Sequence, residues 1–216
     1  MDVDHNKISQ RVDQAITKRL QEFETLGRIG KTAFDFRPFL DITLKATLAT
    51  ELLFCISTAN SSAKAGIVFQ KSLESTNPFE LGREELEALM RNAGVRFSPR
   101  KAEYAEKALK NYSLVERAMK MPSKRARETL LRIKGLGYKE ASHFLRNTGR
   151  KDVAIIDRHV KRWMCSKGLA DPVKSLTPRK YVELESVLRK EAEKRGISLA
   201  EFDLRIWYEV TGMVLK

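Results

Sequence analysis

The chain has 216 residues, of which 42% are hydrophobic and 32% charged, so its composition is that of a globular protein with a sizeable core, while its net charge of +13 is unusually positive. Its two cysteines, Cys55 and Cys165, are too few for a disulfide framework or for an iron–sulfur cluster held by four thiolates. There is no stretch of the ~18–20 apolar residues that a membrane helix needs and no signal-peptide pattern, so we expect a cytoplasmic protein that does not bind membranes.

Helical spacing of apolar residues runs along nearly the whole chain. Ile8, Val12, Ala15, Ile16, Leu20 and Phe23 recur at intervals of three and four and predict an amphipathic helix over 7–26. Strand-like runs such as 153–156 are isolated and lack partners, so the sequence predicts a mostly helical protein. The other predicted helices, separated by Pro, Gly and polar turns, are 41–57, 62–74, 83–92, 98–110, 113–119, 123–133, 140–147, 157–167, 178–195 and 198–212.

The positive charge is concentrated in one third of the chain. Residues 96–167 hold 20 Lys and Arg against 7 Asp and Glu, whereas the remaining residues hold 21 of each kind. A phosphate backbone is the natural partner of such a field, although a solvated basic surface is the alternative. The candidate phosphate contacts are two clusters, of which one contains Arg96 and Arg100 and the other Lys124 and Arg125.

A glycine hairpin followed by a lysine and an aspartate is the most informative motif. Lys134, Gly135, Leu136 and Gly137 form a tight turn between two helices, for which both glycines allow positive φ and close backbone approach. Lys139 lies in the first turn of the second helix, where the helix dipole disfavours an extra positive charge and so favours the neutral amine.

Asp157, 18 positions after Lys139, follows the apolar run 153–156 and is placed to cap a new helix. An activated amine, a positioned carboxylate and a hairpin that grips DNA indicate covalent chemistry on a nucleic acid. The simpler alternatives are a phosphate-binding Lys139, a purely capping Asp157 and ordinary turn glycines.

Residues 133–160 resemble the helix-hairpin-helix signature of the base-excision DNA glycosylases, with Lys139 at the position of the family's catalytic lysine and Asp157 at that of its aspartate. The small chain and its end at Trp207…Lys216 are most similar to the compact archaeal and bacterial 8-oxoguanine DNA glycosylase/AP lyases. The resemblance implies an all-α fold of two helical domains with a cleft between them. One barrel-like domain would span 44–150 and carry the helix-hairpin-helix motif, and the other would combine 1–43 with 151–216.

The resemblance also implies a bifunctional enzyme, in which Lys139 attacks the sugar of a flipped-out 8-oxoguanine nucleotide, Asp157 stabilises the developing positive charge, and β-elimination through an imine nicks the strand. Asn60 would fill the gap left by the extruded base, and Trp207 and Lys216 would line the base pocket. The hairpin would bind the DNA backbone through its N–H groups and is a candidate site for a monovalent cation. Otherwise we expect no metal and no cofactor, a double-stranded DNA partner with a damaged base, a monomer, and a place at the prokaryotic nucleoid.

Several alternatives stay open at this point. The first alternative is the same kind of enzyme acting on another oxidised base. The second is a non-enzymatic helix-hairpin-helix DNA-binding module. A monofunctional alkyl-base glycosylase is disfavoured because those relatives lack a lysine at the position of Lys139. Trp207 as a core residue and Asn60 as an ordinary helix-end residue are the simpler interpretations, and His143 and His159 are predicted to be structural.

Overall fold

The computed structural model describes residues 2–173 and 175–216, with side chains from residue 10 onward. These residues form eleven α-helices and one antiparallel hairpin, which confirms the prediction of a mostly helical fold. The elements in chain order are α1 Asp2–Ile29, β1 Lys31–Asp35, β2 Thr43–Thr47, α2 Leu48–Ser57, α3 Ala63–Ser72, a 3-10 turn Pro78–Glu80, α4 Arg83–Asn92, α5 Ser98–Lys110, α6 Ser113–Met119, α7 Ser123–Leu130, α8 Tyr138–Asn147, α9 Arg158–Ser166, α10 Pro178–Glu193 and α11 Leu199–Thr211.

The β-hairpin corrects the sequence prediction, because the helix predicted over 41–57 begins only at Leu48. Residues 43–47 alternate between exposed and buried, with Leu44 and Ala46 facing the core, and this period of two is that of a strand. Thr47 ends the strand and caps α2, where its hydroxyl oxygen accepts a hydrogen bond from the Thr50 N–H at 3.3 Å.

Three groups of buried apolar side chains hold the helices together. The largest joins α1, the hairpin, α2, α7 and α8, and it includes Phe23, Phe34 and Phe144. A second group lies among α9, α10 and α11, and a third lies among α2, α3, α4 and α5. The predicted division into 44–150 and 1–43 plus 151–216 stays a prediction.

The extended segment 153–156 is tied to α10 and α11 by side chains. Its backbone N–H groups at 154, 155 and 156 donate to Glu185 (3.1 Å), Asp203 (3.2 Å) and the Tyr181 hydroxyl (3.1 Å). All three acceptors are buried. A short extended segment therefore has its amides satisfied without pairing to a strand, and it leads directly into Asp157.

Candidate active site

Lys139 and Asp157 lie on the walls of one open cleft of about 580 Å³. The cleft continues into a smaller recess of about 60 Å³, and both residues line the recess as well. The fold therefore brings the two ends of the sequence motif to one place. The other lining residues that matter below are Asn60, Arg96, His159 and Trp207 in the cleft and His143, Asp203, Trp207 and Lys216 in the recess.

The hairpin places Lys139 in the first turn of α8, where its amine makes no hydrogen bond within the described residues. The Lys139 side chain is 25% exposed, and its Nζ lies 3.7 Å from Glu140 Oε1, which is too long for a hydrogen bond. Glu140 instead accepts the Gly137 N–H at 3.1 Å through Oε2 and so caps α8. The amine is therefore held near the cleft by the helix and by a loose ion pair with Glu140, and it makes no hydrogen bond within the described residues.

Asp157 is the N-cap of α9, as predicted. Its Oδ1 accepts hydrogen bonds from the N–H groups of His159 and Val160, both at 2.8 Å. Its Oδ2 accepts no hydrogen bond within the described part of the chain. One oxygen thus fixes the direction of the carboxylate, and the other keeps its lone pairs available.

The turn of the hairpin depends on one of its two glycines. Gly135 has φ of +100°, which residues with a side chain rarely adopt, and a Cβ there would lie 2.7 Å from the Cβ of Tyr104. The backbone conformation and the lack of space both exclude a larger residue. Gly137 has φ of −93°, which any residue adopts. Only Gly135 therefore uses the positive φ that both glycines allow.

Only part of the hairpin can bind a DNA backbone. The N–H of Leu136 is bonded to the Ile133 carbonyl at 3.1 Å, and its side chain is buried in the core. The N–H of Gly137 is used by Glu140. The N–H groups of Lys134 and Gly135 have no partner among residues 2–173 and 175–216, and the Lys134 side chain is 61% exposed. The turn itself is therefore the part of the hairpin that remains available for phosphate oxygens.

Asn60 lies at the turn between α2 and α3, on the rim between the cleft and a second groove of about 500 Å³. It is exposed and has φ of +53°, a conformation that Asn tolerates better than most residues. The groove is also lined by Arg100 and Gly135, and Arg96 lines the cleft. The structure therefore groups these predicted DNA contacts around the hairpin.

The second predicted basic cluster is not part of these cavities. Lys124 and Arg125 are exposed in the first turn of α7 and line none of the described cavities. Arg127, two positions later, is buried and donates to Glu185 at 2.6 Å. The exposed members of the cluster could not be told from the buried one by sequence, because the partner of Arg127 lies 58 positions away.

Trp207 and Lys216, the predicted base-recognition pair, both reach the recess. The Trp207 ring, on α11, also lines the cleft and lies edge-on to His159 with ring centres 5.6 Å apart. The Lys216 side chain is fully buried, and its ammonium donates to Glu51 and Gln70. An ammonium contact to the base is therefore excluded in this arrangement, and Lys216 lines the recess through its other atoms.

Four residues at these cavities were not among the predicted catalytic or recognition residues. Phe97 and Lys101 belong to the first basic cluster, in which Lys101 was a candidate phosphate contact. His143 lines the recess and His159 the cleft, although both were predicted to be structural. Phe97 lines the groove beside Asn60, is 63% exposed and has φ of +60°. The spacing of four between Lys139 and His143, which puts both on one helix face, was the signal that could have found the histidine.

Lys101 is the fourth of these residues, and it supports the Asn60 turn. Its Nζ donates to the Ser57 carbonyl, at the end of α2, at 2.6 Å. Burial first, and then the charges of Lys139 and Arg96, lower the pKa of Lys101 to about 8. Lys101 is therefore a helix-end contact in the floor of the groove rather than an exposed phosphate ligand.

No group of three or more His, Cys, Asp or Glu side chains among the described residues is arranged to hold a metal ion. Within the same ranges, no helix is long and apolar enough to cross a membrane.

Comparisons with known proteins agree on one family. The family model described as 8-oxoguanine DNA glycosylase matches residues 16–197. The 8-oxoguanine DNA glycosylase/AP lyase of Aquifex aeolicus is 47% identical over 220 residues, which cover 97% of this chain and 96% of that protein. The 8-oxoguanine DNA glycosylase of Thermotoga maritima has a TM-score of 0.84 at 37% identity and covers 99% and 97% of the two chains. For the Methanocaldococcus jannaschii 8-oxoguanine glycosylase/lyase bound to 8-oxoguanine DNA, the TM-score is 0.81 at 41% identity, with 94% and 93% covered.

Proposed function

The chain belongs to the 8-oxoguanine DNA glycosylase family, and on that premise we propose that it excises 8-oxoguanine from double-stranded DNA and nicks the strand by β-elimination. The observation that carries the proposal is that Lys139 and Asp157 line one cleft and the recess behind it. A non-enzymatic DNA-binding module needs neither an amine free of hydrogen bonds at this cleft nor a carboxylate oxygen without a partner beside it.

The nucleophile is the neutral Nζ of Lys139. The damaged nucleotide is flipped out of the duplex, at a cost of a few kcal/mol. The Nζ lone pair forms a bond to C1′, and the bond from C1′ to the base nitrogen breaks with its electron pair leaving on the base. Asp157 stabilises the positive charge that develops on the sugar, and its orientation by the α9 amides lowers the reorganisation that this requires.

Strand nicking uses the same covalent intermediate. Nζ then loses one proton and forms a double bond to C1′, while the C1′–O4′ bond breaks with its electron pair on O4′, which takes up a proton. The product is a protonated imine between Lys139 and C1′. Loss of a C2′ proton then allows the C3′–O3′ bond to break, and the electron pair leaves on the 3′ phosphate. The imine is reduced by borohydride, which makes the enzyme–DNA adduct measurable.

The DNA contacts are proposed around this centre. Lys134 and Gly135 bind phosphates at the hairpin, Arg96 and Arg100 bind phosphates on either side of Asn60, and Asn60 enters the gap left by the extruded base. The exposed residues Lys124 and Arg125 extend the basic surface along α7. In the pocket Trp207 offers an aromatic face to the base, and Lys216 closes the inner wall.

The finer expectations about cofactors and surroundings remain predictions. These are a monovalent cation at the hairpin, the absence of an iron–sulfur cluster, a monomeric protein, and a cytoplasmic place at the nucleoid.

Borohydride trapping on a duplex with a single 8-oxoguanine tests the proposed function. Wild type forms the covalent adduct, releases the lesion base and nicks the strand, whereas Lys139→Gln does none of these and still binds the duplex. Lys190→Gln is the matched control, because it removes an exposed lysine of α10 that lies outside the cavities and the proposed DNA contacts and keeps the amine at 139. An adduct at wild-type yield in Lys139→Gln would show that another amine is the nucleophile, and wild type without any adduct would support a binding module.

A further inference from the structure

Asp203, on α11, contacts both of the segments that carry the proposed catalytic groups. Its Oδ1 accepts the Ile155 N–H at 3.2 Å, and its Oδ2 accepts a hydrogen bond from Nη1 of Arg146 on α8. Ile155 lies two residues before Asp157. Arg146 lies seven residues after Lys139, which is two turns along the same face of α8. The carboxylate of Asp203 therefore connects the helix of the lysine to the segment of the aspartate, and we call this contact the Arg146–Asp203 bridge.

The bridge is buried at the recess. Arg146 and Asp203 are 3% and 2% exposed, and both line the recess together with Lys139 and Asp157. Nε and Nη2 of Arg146 donate to the Asn147 side-chain oxygen at 3.1 and 2.9 Å, which fixes the plane of the guanidinium. Burial raises the pKa of Asp203 to about 6, and Arg146 acts in the opposite direction, so the carboxyl is ionised at neutral pH. A buried, charge-assisted contact of this kind holds its partners more firmly than a surface ion pair does.

The other charged acceptor of the extended segment leads to a different helix. Glu185, which accepts the Ala154 N–H, pairs with Arg127 on α7. α7 precedes the hairpin and carries neither catalytic group. Of the two ion pairs that hold the segment, the Arg146–Asp203 bridge is therefore the one that reaches the helix of the lysine.

We propose that Arg146 and Asp203 are positioning residues, which set the distance and the angle between the Lys139 amine and the Asp157 carboxylate. The proposal rests on the proposed function and adds to it a fixed relation between the nucleophile and the charge that stabilises the sugar. Base release needs both groups in place at once. A preformed abasic site has already lost its base, so imine formation and β-elimination there use Lys139 and need no carboxylate to help expel a base. Loss of the bridge should therefore reduce base release far more than abasic-site nicking.

Asp203→Asn breaks the ion pair and keeps an oxygen that can accept the Ile155 N–H. We expect single-turnover excision of 8-oxoguanine to fall about 10- to 100-fold, as for a small misplacement of reacting groups. Nicking of a preformed abasic site should fall only as far as the folded fraction does, and circular dichroism measures that fraction.

Asp203→Asn leaves Arg146 buried without its partner and so lowers stability. A second variant, Arg146→Met combined with Asp203→Asn, removes both charges and still keeps the acceptor for Ile155. Because it contains no unpaired charge at this place, it should unfold at a higher temperature than Asp203→Asn. Its ratio of excision to nicking should stay low, since the bridge is still missing.

Glu22→Gln is the matched control, because Glu22 makes the same kind of contact away from the site. One of its carboxylate oxygens pairs with Arg19, and the other accepts the Asp35 N–H at 3.1 Å. Glu22 is buried and lines none of the described cavities. The variant should lower Tm, as Asp203→Asn does, and leave the ratio of excision to nicking at the wild-type value.

A double-mutant cycle with Asp157→Asn tests whether the bridge acts through Asp157. Once the charge at 157 is gone, adding Asp203→Asn should change the excision rate of the folded protein by no more than about threefold, whereas independent effects would multiply. Multiplying losses, a wild-type ratio in folded Asp203→Asn, or an equal fall of the ratio in Glu22→Gln would assign Arg146 and Asp203 to stability alone and overturn the proposal. If wild type itself forms no borohydride adduct, the proposed function fails instead, and the two failures are distinguishable.

Discussion

The two oxygens of Asp157 have different surroundings, and this allows its capping role to be separated from the catalytic role that we propose. Oδ1 is used by the amides of His159 and Val160, whereas Oδ2 has no partner in the described ranges. Capping needs only an acceptor oxygen, which an amide also supplies. Stabilising a cationic sugar needs the negative charge, which an amide lacks.

Asp157→Asn should therefore remain folded and lose its rate of base release. We expect a loss of unfolding free energy of ~1 kcal/mol or less, because the amide oxygen still caps α9, and a base-release rate lower by about 10²–10³-fold. Denaturant unfolding and single-turnover excision measure the two quantities. Asp152→Asn, in the same segment but outside both cavities, is the control and should keep the wild-type rate. Wild-type excision by Asp157→Asn would reduce Asp157 to a cap.

Lys139 and Asp157 were predictable because each depends on its own few neighbours, a glycine hairpin in one case and the start of a helix in the other. The burial of the Lys216 ammonium was not, because it depends on a partner distant in sequence. Glu51, which takes up the Lys216 ammonium, is 165 positions away. The spacing of apolar residues does not show which polar side chain will be left without a partner.

At the scale of elements, the segment before Asp157 is positioned by α10 and α11. The sequence correctly predicted that 153–156 would have no strand partner, but not what replaces one. The buried Tyr181 hydroxyl accepts from the Ile156 N–H at 3.1 Å and donates to the Ala154 carbonyl at 2.8 Å. The hydroxyl thereby fixes the backbone on either side of Ile155, and Ile156 directly precedes Asp157.

Tyr181→Phe should consequently impair both stability and chemistry. It leaves two buried backbone groups without a partner, so we expect unfolding free energy to fall by about 2 kcal/mol. The variant should still be mostly folded. If the rate of base release falls by more than the loss of folded protein explains, the additional decrease comes from a less firmly positioned Asp157. Tyr112→Phe, on a half-buried tyrosine outside the described cavities, is the control for the loss of a phenol. Base release that falls only in proportion to folded protein would show that 153–156 needs no such support.

The hairpin of β1 and β2 was missed for a related reason. Residues 41–57 are apolar enough for a central helix. Over so few residues, the spacing of the apolar side chains Leu44 and Ala46 does not distinguish a strand from a helix. The pairing of Phe34 with Leu44 across the hairpin settles the choice in favour of a strand, and it is a contact between segments rather than a property of either one.

At the scale of the whole molecule, the concentration of positive charge in residues 96–167 is only partly a surface property. Arg127 and Arg146 are buried and paired with Glu185 and Asp203, which lie outside that segment. They contribute little to the field around the molecule. The field must come from exposed residues of the segment such as Lys124, Arg125 and Lys134.

Binding to undamaged duplex should accordingly weaken steeply with salt. If ~4–6 phosphates are neutralised, the slope of log affinity against log salt concentration should be about −4 to −5. Lys124→Glu should make this slope less negative by about 1 or more, because a phosphate contact is lost and a repulsive charge is added.

Lys190→Glu is the matched control, since Lys190 is an exposed lysine on α10 outside the basic segment. It changes the net charge by the same amount, so a comparison of the two variants distinguishes the effect of where a charge lies from the effect of the total charge. Equal slopes in the two variants would mean that the protein binds DNA through its overall charge, and that the segregation of charge along the sequence does not correspond to a binding face.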